Sequence, residues 1–274
     1  MRTGLLLAAA LGVASAPAWA ERPRDRFWAQ GGGFFTTANS NMRLDNVLLG
    51  SSGTAIDFES DIGLPTHDSQ PIGLVGVRLG RAVRIEGEYF RLKRIGNRSV
   101  AGSIAVGETV FNAQANVAGL LQSTTYRVAL GYSPLLTDRA ELGVALGGHI
   151  TNFTVQLLGA GTVTTANGSI SSALASEQRS QRAPLPTISG YGNYVLSPVF
   201  ALNARADWLS LSVGDYSGSL VEAQAGVTAR IIRNVGLGAG YRYTNYIFRA
   251  RKRDFTGRLQ YEFHGPIVSL EVAF

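Results

Sequence analysis

Val268-Ser269-Leu270-Glu271-Val272-Ala273-Phe274 alternates apolar residues with small or charged ones up to the end of the chain. A period of two places Val268, Leu270, Val272 and Phe274 on one face of a strand, and Ser269, Glu271 and Ala273 on the other. The same dyad recurs upstream. Val235, Leu237, Ala239, Tyr241 and Tyr243 alternate with Gly236, Gly238, Gly240, Arg242 and Thr244. Val221 to Ile231, Phe200 to Trp208, Leu142 to Ile150 and Tyr126 to Tyr132 repeat it. The segments that carry these runs, 119–133 and 255–274 among them, are long enough for the ~9–11 residues that a tilted strand needs to cross a bilayer.

The N-terminus carries an independent signal. Arg2 precedes an apolar run from Gly4 to Ala14, and Ala18-Trp19-Ala20 forms a small-x-small site before Glu21. This order is that of a secretory signal peptide, expected over 1–20, with the barrel domain over 21–274. The run is too short for a membrane helix, which needs ~20 residues. The chain has no cysteine, so an exported fold here does not rest on disulfides. Its net charge is +6, carried mainly by arginine. Export makes lipid phosphate, rather than nucleic acid, the expected anionic partner.

The signal peptide, the dyads and the Phe-terminated last strand together resemble the bacterial outer-membrane β-barrel proteins, specifically a small barrel of uncharacterised family. The resemblance implies an all-β fold, a single closed antiparallel transmembrane barrel, in the outer membrane of a Gram-negative bacterium. It implies outer-membrane lipid, lipopolysaccharide and the barrel-assembly machinery as partners, and Phe274 as part of the insertion signal. Ten strands are expected, with eight or twelve as the neighbouring counts: roughly 27–39, 70–80, 83–97, 119–133, 140–158, 186–196, 199–213, 219–232, 235–249 and 255–274. Short turns at 80–82, 133–139, 197–198 and 233–234 alternate with long connections at 40–69, 98–118 and 159–185, then with tight turns near 214–215 and 251–254. In the last strand Leu259, Tyr261 and Phe263 are apolar at odd positions but 268–274 at even ones. A bulge near Gly265 is expected to restore the phase.

The face opposite the apolar one collects both signs of charge: Arg78, Arg84, Glu86, Glu88, Arg127, Glu141, Arg205, Asp207, Glu222, Arg230, Arg242, Arg258, Glu262 and Glu271. Buried charges must be paired, so a cross-linked lumen is expected; a pore lining is the alternative. Asp57, Glu59 and Asp61 alternate with apolar residues in the first long connection, and predict a plug that brings its acids to lumen arginines, ahead of a divalent-cation site. Arg91, Lys93, Arg94 and Arg98, with Arg249, Arg251, Lys252 and Arg253, are expected at the outer rim, where guanidinium groups match lipopolysaccharide phosphates. Arg179 and Arg182 would close the third loop.

His67-Asp68-Ser69 resembles the His-x-Ser pair of the lipid A deacylases, and the ten-strand count resembles the omptin proteases; the paired acids and Asp-His couple of the latter have no match here. The chain shows no P-loop, zinc-ligand spacing or dinucleotide motif, so no cofactor is expected. The leading expectation is a non-enzymatic barrel that stabilises the outer membrane or binds at the cell surface. A narrow channel for small polar solutes and a lipid A-modifying enzyme are the alternatives.

Overall fold

The computed structural model describes residues 25–46, 55–99, 104–106, 109–111, 116–165, 168–251 and 255–274. The segment 1–20, expected to be a signal peptide, lies outside them. Ten long strands form one closed antiparallel ring. They are β1 (Phe27–Asn46), β2 (His67–Leu79), β3 (Val83–Ser99), β4 (Asn116–Leu136), β5 (Ala140–Thr165), β6 (Gly168–Val195), β7 (Phe200–Val213), β8 (Tyr216–Ile232), β9 (Val235–Arg251) and β10 (Phe255–Ala273). Pairing of β1 with β10 closes the ring, from Trp28 opposite Ala273 to Asn46 opposite Phe255. Closure leaves no free ladder edge, which a lipid environment requires.

Both described chain ends lie at the rim of the short turns, where the amides of Arg26 and Phe27 donate to the Phe274 carbonyl. In outer-membrane barrels this is the periplasmic rim. Outward residues next to it are apolar on every strand: Phe27, Leu79, Ile85, Tyr132, Leu142, Tyr194, Phe200, Ile231, Leu237, Leu270 and Phe274 are exposed. The apolar belt ends higher up at Phe35, Tyr89, Tyr126, Trp208 and Tyr241, all outward and exposed. Aromatic edges of this kind mark the two membrane interfaces. From Phe27 to Phe35 the strand rises about 20 Å, at ~3.3 Å per residue and ~40° tilt.

The strands continue beyond this belt, and there the two faces exchange character. On β3, Arg91 and Lys93 point outward while Phe90 and Leu92 are buried inside. On β5, Phe153, Val155 and Leu157 are buried, with Asn152, Thr154 and Gln156 on the other face. On these two strands the lower part is apolar outside, and the upper part is apolar inside and polar outside except at Ile95 and Leu158.

This exchange corrects the expected bulge at Gly265. β10 runs in unbroken register with β9 from Val272 opposite Val235 to Thr256 opposite Arg251. Tyr261, Phe263, Ile267, Glu271 and Ala273 all point inward. The apolar phase changes because the surroundings of each face change, while side-chain parity does not. Two lumen assignments fall for the same reason: Arg258 and Glu262 are at even positions and point outward, above the belt. Gly265 has another role. Its φ is 156°, and a Cβ there would overlap the Phe35 carbonyl oxygen.

The connections also differ from expectation. β5 and β6 run on to Thr165 and Gly168, so most of the expected loop 159–185, including Arg179 and Arg182, is paired strand. β1 extends through 40–46, and Ile104–Val106 pairs with Thr109–Phe111 within the second long connection. Extended backbone satisfies its own donors and acceptors by pairing, which favours long hairpins over loose loops.

Candidate functional site

The lower lumen is crossed by ion pairs. Near the periplasmic rim Arg78 makes two hydrogen bonds to Glu141, at 3.0 and 2.9 Å. Arg84 lies 2.6 Å from Glu86 and 3.5 Å from Glu141, its guanidinium 3.6 Å from the centre of the Tyr191 ring. Arg230 reaches Asp25 at 2.8 Å and Glu271 at 3.8 Å. One layer higher, Arg127 bridges Glu86 (3.2 Å) and Asp207 (3.4 Å). Arg205 on β7 reaches across to Glu88 on β3 at 2.8 Å, and also contacts Asp207 (3.0 Å) and Glu222. Arg242 lies 2.6 Å from Glu88. Apart from Asp25, these side chains are almost wholly buried, so each carboxylate depends on its guanidinium partners. Two cavities between these pairs, beside Gln30 and Gln224, measure about 30 and 50 Å³. Each has room for one or a few waters.

Arg242 also marks the top of the charged layer, with its guanidinium 5.5 Å from the Phe90 ring centre and 5.8 Å from that of Phe34. Above it Phe34, Phe90, Phe153, Tyr246, Tyr261 and Phe263 fill the barrel, with ring centres 5.2–6.4 Å apart in successive contacts. The segment 55–65 closes this core from outside. Ile56, Phe58, Ile62 and Leu64 are buried in it. Asp57 accepts hydrogen bonds from the amides of Glu59 and Ser60, and Asp61 accepts from the Asp57 amide. These two acids shape the turn and meet no lumen arginine in these bonds. Glu59 alone turns inward, to Ser40 and Arg94.

Arg94 is therefore not a rim residue. Its even position on β3 points it inside, where it is 1% exposed and holds the plug. Arg98 donates to the Ser60 carbonyl, again tying strand to plug. The remaining described rim residues, Arg91, Lys93, Arg249 and Arg251, do face outward; Lys252 and Arg253 lie outside the described residues. Parity along each strand separates the two groups, a signal already present in the sequence.

The three histidines lie apart. His67 and Ser69 face outward, but Asp68 points the other way and accepts from the Ser69 amide and Gln70. The His67 ring bonds Thr66 (2.9 Å) rather than an acid, so these residues form no Ser-His-acid relay. His264 lies 2.6 Å from the Tyr241 hydroxyl on the outer wall. His149 is buried near Asp207 and Glu222, one potential ligand atom from each lying within 4.8 Å of the others. Arg127 and Arg205 hold those carboxylates. A cation would have to displace guanidinium groups, so this donor set does not fit a metal.

No protein-family model matches the sequence, and no curated protein matches it. Among solved structures, the outer membrane protease OmpT from Escherichia coli is similar at 10% identity and a TM-score of 0.62, covering 94% of this chain and 100% of that one. The outer membrane protein OprG from Pseudomonas aeruginosa is matched at 10% identity over 91% of this chain and 96% of its own, with a TM-score of 0.39. At such identities the likeness is one of fold. Together with the closed ring and its apolar belt, the likeness to OmpT shows that this chain has the fold of the bacterial outer-membrane β-barrel proteins.

Proposed function

We propose that this protein is a sealed, non-enzymatic barrel, exported by its first twenty residues, that stabilises the outer membrane from its outward-facing surface. The observation that carries this reading is the filled interior. Cross-lumen ion pairs occupy the lower half, and an aromatic core closed by the 55–65 segment occupies the upper half. Arg91 and Lys93 stand directly above Tyr89 on the outer wall, at the level of the outer-leaflet headgroups. Guanidinium and ammonium groups there can neutralise lipopolysaccharide phosphates. Phe274 points outward at the periplasmic rim, where the assembly machinery could read it.

Single-channel recording tests the seal. The purified barrel in a planar bilayer should give no steady ion conductance, and steady conductance would overturn the reading. Replacing Arg91 and Lys93 by Glu should raise outer-membrane permeability to large apolar antibiotics. Unchanged permeability at normal expression would count against the membrane-stabilising role.

A further inference from the structure

Strand register brings three arginines into one row. Arg258 on β10 lies directly opposite Arg249 on β9 and directly opposite Arg43 on β1. All three point outward. Directly paired residues have Cα atoms about 4.5–5.5 Å apart, and like charges placed so destabilise a sheet. Arg43 is steadied by Asp45 (2.9 Å) and Arg258 by Gln260 (3.0 Å). Arg251 adds a fourth guanidinium one outward position higher. Among the described outward side chains at or above this row on the three strands, Asp45 is the only acid. A fold that stacks like charges in this way gains stability when an anion bridges them.

Height narrows the anion. The row lies about 20 Å above Phe35, by the same rise and tilt that give the belt its height. Arg91, by contrast, is about 5 Å above Tyr89. Headgroup phosphates at the interface can meet Arg91 and Lys93 but fall well short of the upper row. We propose that Arg43, Arg249 and Arg258 bind a phosphorylated saccharide of the outer-leaflet glycolipid, held outside the bilayer. This rests on the outer-membrane reading above and adds a second, higher contact to it.

The test compares two glycolipids, one with a complete phosphorylated core saccharide and one truncated to its lipid anchor. Binding to the purified barrel in detergent is measured by titration. The wild type should bind the complete glycolipid roughly tenfold or more tighter, the gain expected of one charge-assisted contact. The triple variant Arg43→Gln/Arg249→Gln/Arg258→Gln should lose that preference and bind the truncated form as before. It should also melt higher than wild type without glycolipid, because the repulsion is gone. If the triple variant fails to show the mobility of a folded barrel on an unboiled gel, Arg258→Gln alone replaces it, since it removes the central charge. Equal binding of both glycolipids by the wild type overturns the saccharide site while leaving the broader reading intact. Binding of neither overturns both. A rise in melting temperature with millimolar inorganic phosphate equal to that with the complete glycolipid assigns the row to free phosphate, and overturns the saccharide.

Discussion

Replacing Arg205 by Met removes the guanidinium that links three carboxylates. Arg205 contacts Glu88 at 2.8 Å, Asp207 at 3.0 Å, and Glu222. In its absence Arg127 still reaches Asp207, and Arg242 still reaches Glu88, but Glu222 keeps only Arg242, at 3.9 Å. One buried carboxylate is then left without a close cationic partner, with only the Thr244 hydroxyl donating to it at 3.3 Å. Breaking a buried pair in this way costs about 3–5 kcal/mol. In a water-filled pore the same deletion would cost about 0–1 kcal/mol, because exposed pairs are screened. Urea unfolding of the barrel in lipid vesicles measures the difference. Adding Glu222→Gln should recover a large part of the loss by removing the surplus charge. A loss under ~1 kcal/mol, with no recovery in the double variant, would refute both the packed lumen and the reasoning from paired charges.

Three further outcomes follow from the packing. Phe58→Ala should lower unfolding stability by about 3–5 kcal/mol, because its side chain is wholly buried in the upper core; the same titration reads it. Glu59→Gln should weaken the hold of Arg94 on the plug, and limited proteolysis should then cut within 55–65 faster than in the wild type. Gly265→Ala should reduce the fraction of chain that reaches folded-barrel mobility on an unboiled gel, because its Cβ would overlap the Phe35 carbonyl oxygen.

Strand number and pairing order were legible because each lower segment alternates cleanly against lipid. Val235 to Tyr243 or Phe200 to Trp208 leaves one choice of face. The upper segments were harder to read. Their inward residues are apolar and their outward ones polar, so a dyad read with one rule for the whole strand assigns them wrongly. Such a rule puts Arg258 and Glu262 in the lumen. Its position in a basic run suggests the rim for Arg94, although its parity with Phe90 and Leu92 turns it inward. The plug was recognisable from Ile56, Phe58 and Ile62. That its acids would cap its own turn, with only Glu59 reaching an arginine, depends on local backbone geometry that spacing does not encode.

The exchange of faces at the upper aromatic belt also acts as a vernier on strand alignment. In a barrel with a uniform polar lumen, sliding one strand by two residues preserves which side chains face in, and the penalty is small. Here the reversal point on a strand such as β3 or β5 must stay level with the change from charged layer to aromatic core inside the barrel. A two-residue slide would move one strand's boundary about 5 Å out of line, exposing a core residue to water or a charged residue to lipid. A one-residue slip would invert both halves together. Alignment along the strand axis is therefore written into the strands that carry the reversal, β3 and β5 among them, with no dependence on the length of the outer connections.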